Sequence, residues 1–496
     1  MFTPLLDAMI LFTIATPLIG LVGRRIERVK IVRGYATFAL VFSLVMIPFF
    51  YLGVLRENVL LAVYGSSPPP NGVSITIDML SIFMASVYLA IGAVSAVFPI
   101  REIERGNIAG YYTIFLGMIT GMIGIIFSGD LFTLFIFWEI MCVSSYALVA
   151  FRKRRWESIE ASYKYLIMSV SGTITILFAL SFLYGLAGTL NIAYLSMSLT
   201  EGGQNPWMYI ALLMLMVGFG LQAGMVPFHT WLPDAHMAAP SPVSAVLSGV
   251  MVKTGVYGFI RVLPLIFTSM YGTWQITLTA FAVLTMFTGN LMALLQDDIK
   301  RLLAFSTIAN TGYILLGVSI GSYRALTGSL FHTLNHAIVK ALLFLCAGAF
   351  IYRTRTRSLK ELAGIRRTMP ITGTVFIIGT ISLTGIPPLN FFWSEMTIVM
   401  ASEEAGMHHL SLLMIVNILL SAVYCLRLIQ MALLKETTSI SRKAKEAPAT
   451  MLAPILILGF LCILIGVYPA PFQKFAEIAA TAALDLKCYI EGATPP

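Results

Sequence analysis

The chain has 496 residues, of which 58% are hydrophobic and only 11% charged, and its 32 Lys+Arg against 23 Asp+Glu leave a net charge of +9. A soluble domain carries about 25% charged residues, so this chain cannot cover its own apolar surface in water; a soluble enzyme, a disordered chain and a disulfide-rich secreted module are excluded. What remains is an all-α polytopic membrane protein, whose positive excess marks either membrane orientation or an anionic partner such as nucleic acid, according to where it lies.

A helix needs about 20 apolar residues to cross the ~30 Å hydrocarbon core, and 14 such spans are predicted. The first, 3–23, has no basic stretch before it and Arg24 and Arg25 after it, which predicts a retained helix rather than a cleaved signal peptide. Spans 31–54, 77–98 and 109–127 follow without internal charge, with Asp7 and Asp78 at span ends and expected to be solvated. Span 131–151 carries Glu139 near its middle, and 163–185 begins at Lys164, which is expected to snorkel beside a basic loop. Span 206–226 runs into Pro227, and 241–262 holds Lys253. Spans 274–295 and 301–320 precede 324–352, which holds His332, His336 and Lys340. Span 371–400 is interrupted by Gly385-Ile386-Pro387-Pro388 and carries Glu395; 408–434 carries Arg427 nearer mid-span, and 451–468 closes the series.

Basic residues fall in alternate connections: Arg24, Arg25, Arg28, Lys30 and Arg33, then Arg101 and Arg105, residues 152–155, Lys300 and Arg301, residues 353–367 and residues 435–445. By the positive-inside rule these loops are cytoplasmic, so the positive excess reads as orientation, with an even helix count and both termini outside. The connection with His229, Asp234 and His236 is the predicted inside loop that lacks a Lys or Arg.

A charge at the bilayer centre costs about 2.5–3.5 kcal/mol and usually faces a polar interior. Glu139 has no solvent or loop within reach by sequence, a setting that suits a proton carrier. His332, His336 and Lys340 are spaced i, i+4, i+8 and form one stripe on a helix. A lone buried histidine is more often a satisfied core residue; two with a lysine on one apolar face favour function. A metal site is disfavoured because no carboxylate shares that face and Lys340 would repel a cation. Proline frees backbone carbonyls that in lipid need other partners, and Pro227, Pro387 and Pro388 break the fourth helix of two successive five-helix units. Five is odd, so the second unit enters from the opposite side, an inverted repeat of the kind that lines ion paths. The domains expected are 1–108 (helices 1–3), 109–262 and 263–434 (the two units) and 435–496 (helix 14 and a tail). No pair among the five cysteines has C-x-x-C spacing, so neither a metal nor a cofactor is expected, and the loops are too short for a catalytic domain.

The stretch Phe137-Trp138-Glu139, the segment MVPFHTWLPDAHMAAPSPVSA (225–245), the run VMVKTGVYG (250–258) and FHTLNHAIVKALLFLCAG (331–348) resemble the antiporter-like subunits of respiratory complex I. That family includes large subunits of Mrp-type Na⁺/H⁺ antiporters and of complex I-related membrane-bound hydrogenases and sulfur reductases. The resemblance covers roughly residues 75–435. It implies 14 core helices, two inverted five-helix repeats and proton movement along a central polar axis. It also implies a cell-membrane complex with other membrane subunits, a second antiporter-like subunit among them. Carried over, Glu139 matches the helix-5 glutamate, Lys253 the helix-8 lysine, and His332, His336 and Lys340 the helix-11 relay; Glu395 falls where the family has a terminal Lys or Glu. Lys164, His229 and Arg427 are accessory candidates. Where the family has a helix-7 lysine this chain has Gln222, which cannot carry a proton or act as a counter-ion.

Two readings stand above the rest: a subunit that moves protons, with or without sodium exchange, attenuated by Gln222, or a structural subunit that keeps the fold and no longer conducts. A stand-alone solute transporter is disfavoured by the long row of titratable groups. No nucleic-acid surface is expected.

Overall fold

The computed structural model describes residues 4–21, 25–65, 67–99, 107–152, 155–201 and 205–494; among the predicted loop charges, Arg24, Arg101, Arg105, Lys153 and Arg154 lie outside them. The chain runs through helices α1 (Pro4–Ile19) and α2 (Arg25–Glu57), a hairpin of β1 (Leu60–Tyr64) and β2 (Val73–Ile77), then α3 (Met79–Val97), α4 (Ile108–Phe127), α5 (Leu131–Val149) and α6 (Trp156–Ala187). Short α7 (Ile192–Glu201) precedes α8 (Pro206–Ala223), α9 (Trp231–Ala238) and α10 (Ser241–Ile266). The second half holds α11 (Tyr271–Leu294), α12 (Ile299–Ile320), α13 (Tyr323–Thr354), α14 (Pro370–Leu383), α15 (Asn390–Glu404) and α16 (His408–Leu434). It ends with α17 (Ala449–Val467), α18 (Ala470–Leu484) and α19 (Leu486–Ala493). Among the described residues 12 helices are long and apolar enough to cross a membrane, while α1 and α14 are shorter apolar helices. Of the 14 predicted spans, those two fall short of full length by themselves.

Side-chain caps start several of these helices. Asp78 accepts from Ser81 N at 2.9 Å, Asp130 from Thr133 N at 2.7 Å and Asp298 from Lys300 N at 2.8 Å, each satisfying a backbone donor that lipid could not. Small residues set the closest helix contacts. A Cβ on Gly121 of α4 would lie 2.7 Å from Met141 N of α5, and one on Gly289 of α11 would lie 2.3 Å from Ala309 N of α12.

The hairpin, α7 and α19, none of which the span pattern predicts, gather on one face. The hairpin pairs Leu60 with Ile77 through Tyr64 with Val73, and Asn191 before α7 ties to it through Ser74 Oγ at 3.0 Å. Both described chain ends reach this face: Tyr64 donates to Asp7 at 2.6 Å, and the Tyr489 and Thr76 hydroxyls of α19 and β2 are 3.0 Å apart.

Asp78 corrects the expectation of a solvated span end. Its carboxylate takes both bonds of Arg261 at 2.7 Å, and each side chain is only 3% exposed. Tyr489 covers the guanidinium at 4.6 Å from its ring centroid. Because α18 and α19 fold back over this end of the bundle, the pair is buried where sequence alone placed it in water. Arg261→Ala leaves the carboxylate buried without its cation, which typically costs about 3–5 kcal/mol. We expect a clear fall in the denaturation midpoint of the purified chain; an unchanged midpoint would show that the pair contributes nothing.

The predicted inside loop without Lys or Arg is not a solvent loop. Its residues form α9, with Trp231 and His236 buried, and Trp231 Nε1 donates to Leu221 O at 3.0 Å. Lys300, counted among loop charges, is 1% exposed and donates to Ala239 O at 2.7 Å. An interior segment needs no orienting charge, which explains the exception in the charge alternation.

Candidate functional site

The chemistry of the interior rests on α10, α12, α13 and α15. In α10 the residues Leu247–Met251 form a π turn, the kind of local widening that recurs at functional sites. One turn later Lys253 Nζ donates to Ser248 O at 2.6 Å and lies 2.6 Å from His336 Nδ1 on α13. Both side chains are fully buried. The contact is a hydrogen bond whose direction depends on the imidazole tautomer, and it joins two basic groups from the two halves of the chain.

The i, i+4, i+8 stripe on α13 is realised. His332 and His336 have ring centroids 6.2 Å apart, and Phe391 of α15 packs on His332 at 4.8 Å. His332 Nε2 meets Asn310 Oδ1 at 3.0 Å, and Nδ1 meets Ser394 Oγ at 3.0 Å. Ser394 Oγ also donates to Phe391 O at 3.0 Å and accepts from Asn335 Nδ2 at 3.1 Å. With one hydrogen and two acceptors, that hydroxyl can turn from carbonyl to imidazole. Lys340 reaches across to α12, where Nζ bonds Ser306 Oγ and lies 3.3 Å from Leu303 O.

Glu395 follows Ser394 and is 3% exposed. It lies within electrostatic range of Tyr313 and Tyr424, which Asn290 joins at 3.0 and 3.1 Å. Its Oε2 abuts Gly385 in the break between α14 and α15, where a Cβ would come within 2.0 Å of it. Gly385 has φ +69, so Gly385→Ala adds backbone strain of about 1–2 kcal/mol to that clash. The expected result is a lower thermal midpoint; an unchanged one would show that the break relaxes freely.

Both breaks share one design. Gly224 (φ +67) ends α8 before Val226-Pro227, and Gly385 follows α14 before Pro387-Pro388; both X-Pro bonds are cis. Gly224 N bonds Leu221 O at 3.1 Å and Met225 N bonds Gly220 O at 2.8 Å, and Val226 N finds Thr285 Oγ1 at 3.0 Å. The interrupted backbone is thus largely repaired inside the protein.

Lys253, His336, His332, Lys340 and Glu395 therefore form one buried row. Glu139 and Gln222 stand apart from it. Glu139 is half-buried on α5 and makes no hydrogen bond or ion pair to another described residue. Gln222 is 1% exposed; its Oε1 accepts weakly from Cys142 Sγ at 3.7 Å, and its Nε2 has no partner among the described residues. Between Gln222 and Lys253 the polar contacts end on methionine sulfur, Thr254 to Met141 at 3.4 Å and Ser145 to Met251 at 2.9 Å.

The accessory candidates lie elsewhere. Lys164, half-exposed, pairs with Glu160 at 2.8 Å and Asp234 at 3.2 Å, which also takes Arg301 at 3.2 Å. Arg427, read from sequence as nearer mid-span, reaches the connection between α11 and α12, bonding Gln296 O at 2.9 Å and pairing with Asp297. That guanidinium, followed by Lys360, holds the Asp297 carboxyl below its usual range. His229 is half-buried in the first break, its Nδ1 without a partner among the described residues.

Sequence reasoning missed His236 and Lys300. His236 is fully buried, stacks on Phe344 at 4.9 Å and lies within electrostatic range of Lys300, Lys340 and Lys253. The signal that could have found it was the predicted loop's lack of Lys and Arg.

Residues 128–421 match the family model described as NADH:quinone oxidoreductase/Mrp antiporter, TM. The chain is 34% identical over 419 residues to NADH-quinone oxidoreductase subunit N of Desulforudis audaxviator, covering 81% of this chain and 83% of that one. It is 29% identical over 455 residues to a Na(+)/H(+) antiporter subunit of Alkalihalophilus pseudofirmus, covering 92% of each. A chain of the membrane-bound sulfane sulfur reductase, an archaeal respiratory membrane complex, superposes with a TM-score of 0.91 at 28% identity over 99% of both chains.

Proposed function

This chain belongs to the NADH:quinone oxidoreductase/Mrp antiporter transmembrane family, and on that premise we propose that it moves protons through the membrane along the row Lys253, His336, His332 and Glu395, with Lys340 beside it. The single observation that carries the reading is the buried contact of 2.6 Å between Lys253 and His336. It joins two basic groups that can hold one proton in either place, and the rotatable Ser394 hydroxyl lies on His332 at the next step. Hydrogen-bonded chains of this kind hand protons laterally, with water filling the gaps.

The architecture behind it is 14 crossings, with α14 and α15 acting as one broken span. Residues 109–262 and 263–434 are read as two inverted five-helix repeats, flanked by 1–108 and 435–496. Three paired features support this: the glycine-mediated contacts of α4 with α5 and of α11 with α12, the left-handed glycines 224 and 385, and the prolines that follow them. With the basic loops on the cytoplasmic side, both termini lie outside. The chain would work beside other membrane subunits, driven by their chemistry and doing none of its own.

Gln222 favours a second reading, in which the Glu139 end no longer feeds the row and the subunit is structural. The double variant Lys253→Ala/His336→Ala separates the two. Loss of proton flux in proteoliposomes with the complex intact supports conduction, and unchanged flux supports the structural role. Sodium uptake measured in the same vesicles distinguishes exchange from movement of protons alone.

A further inference from the structure

We propose that a cavity on the face of the basic loops binds the phosphate headgroup of an anionic phospholipid. The cavity, about 210 Å³, is lined by Arg152, Arg155, Lys300, Arg355 and Arg357, and none of the described residues lining it is a carboxylate. An adjoining cleft shares Arg152, Arg155 and Arg357 and adds Glu157, and Arg357 is paired with Asp298 at 3.1 Å. The five cations converge from three separate segments of the chain upon one space. Loop charges that serve orientation alone need only sit in the right loop; they need not share a cavity.

Two details argue for a ligand. Lys300 is 1% exposed, and its ammonium is held at the cavity by Ala239 O at 2.7 Å and Ser244 Oγ at 3.3 Å. Arg355 ends α13 with φ +64, a position where glycine is the usual residue, and it lines the cavity. The remaining wall identifies the ligand's other end. Phe98, Ile351 and Met451 bring the ends of α3, α13 and α17 to the same cavity. A charged floor beside an apolar wall at the end of a helix bundle matches an amphiphile better than a free ion, and basic pockets between membrane helices are known to hold anionic headgroups. The proposal is independent of proton conduction.

The test is native mass spectrometry of the full chain in its complex, released from nanodiscs of equal phosphatidylglycerol and phosphatidylcholine. Selective retention of phosphatidylglycerol is expected. Arg355→Asn keeps the left-handed cap and removes the charge, so reduced retention cannot be assigned to misfolding; the expected loss is roughly fivefold, the effect of one charge near a lipid surface. Arg366→Asn, exposed on the same face and away from the cavity, should retain lipid as the parent does. Equal retention of the two lipids, or no change in Arg355→Asn, overturns the proposal. Binding of inorganic phosphate without retained lipid assigns the site to the free ion and overturns it as well.

Discussion

Replacing Lys253 by methionine is expected to lower proton flux by about 100-fold, the low end for losing a positioned proton-transfer group, while the complex still assembles. Methionine has nearly the same length, so the packing of α10 against α13 is kept. What changes is the pairing: Ser248 O loses a donor and His336 Nδ1 loses its neighbour, each now at 2.6 Å. Unsatisfied buried groups cost about 1–3 kcal/mol each, little beside the apolar burial of a bundle this size. The flux effect should therefore exceed the stability effect by a wide margin. Flux in reconstituted vesicles, read with the melting midpoint of the same preparation, checks this; equal losses in both would assign Lys253 to the fold.

The second large effect is expected from Gln222→Lys. Glutamine cannot hold a charge or pass one on, and Gln222 now spends its Oε1 on a weak thiol contact with Cys142. A lysine there would face the side of the bundle where Glu139 stands, with Lys253 on the far side of Met141 and Met251. A titratable group in that gap should raise flux by roughly tenfold, a barrier change of about 1.4 kcal/mol. Gln222→Leu, which fills the space without charge, should leave flux where it is. If Gln222→Lys assembles and conducts at the parental rate, the attenuated reading fails and the Glu139 end is irrelevant to the row.

Much of the site was legible because helices make it so. His332, His336 and Lys340 are spaced to share a face, and they do, since α13 runs unbroken from Tyr323 to Thr354. Pro227, Pro387 and Pro388 mark the two breaks because each lies just after a left-handed glycine, whereas Pro48, Pro264 and Pro454 sit inside continuous helices. What stayed hidden depended on segments distant in sequence. Nothing local says that α18 and α19 turn back to bury Asp78 with Arg261, or that Lys300 points inward under Ala239. The π turn before Lys253 left no mark in hydropathy, yet it sets the carbonyl that the lysine bonds. His236 was read as a loop residue because an eight-residue helix is too short to register as a span.

Glu139 shows the limit from the other direction. Its place in an apolar run predicted isolation in the interior, whereas it is only half-buried in this subunit.

The most direct measurement is proton flux through the assembled complex in vesicles, compared between the parent chain and His336→Ala with Lys253 intact. A fall of about 100-fold with normal assembly is the predicted result, because on the proposed path His336 takes the proton from Lys253 into the second half. Flux at the parental level in His336→Ala would contradict the central claim that this row carries the protons.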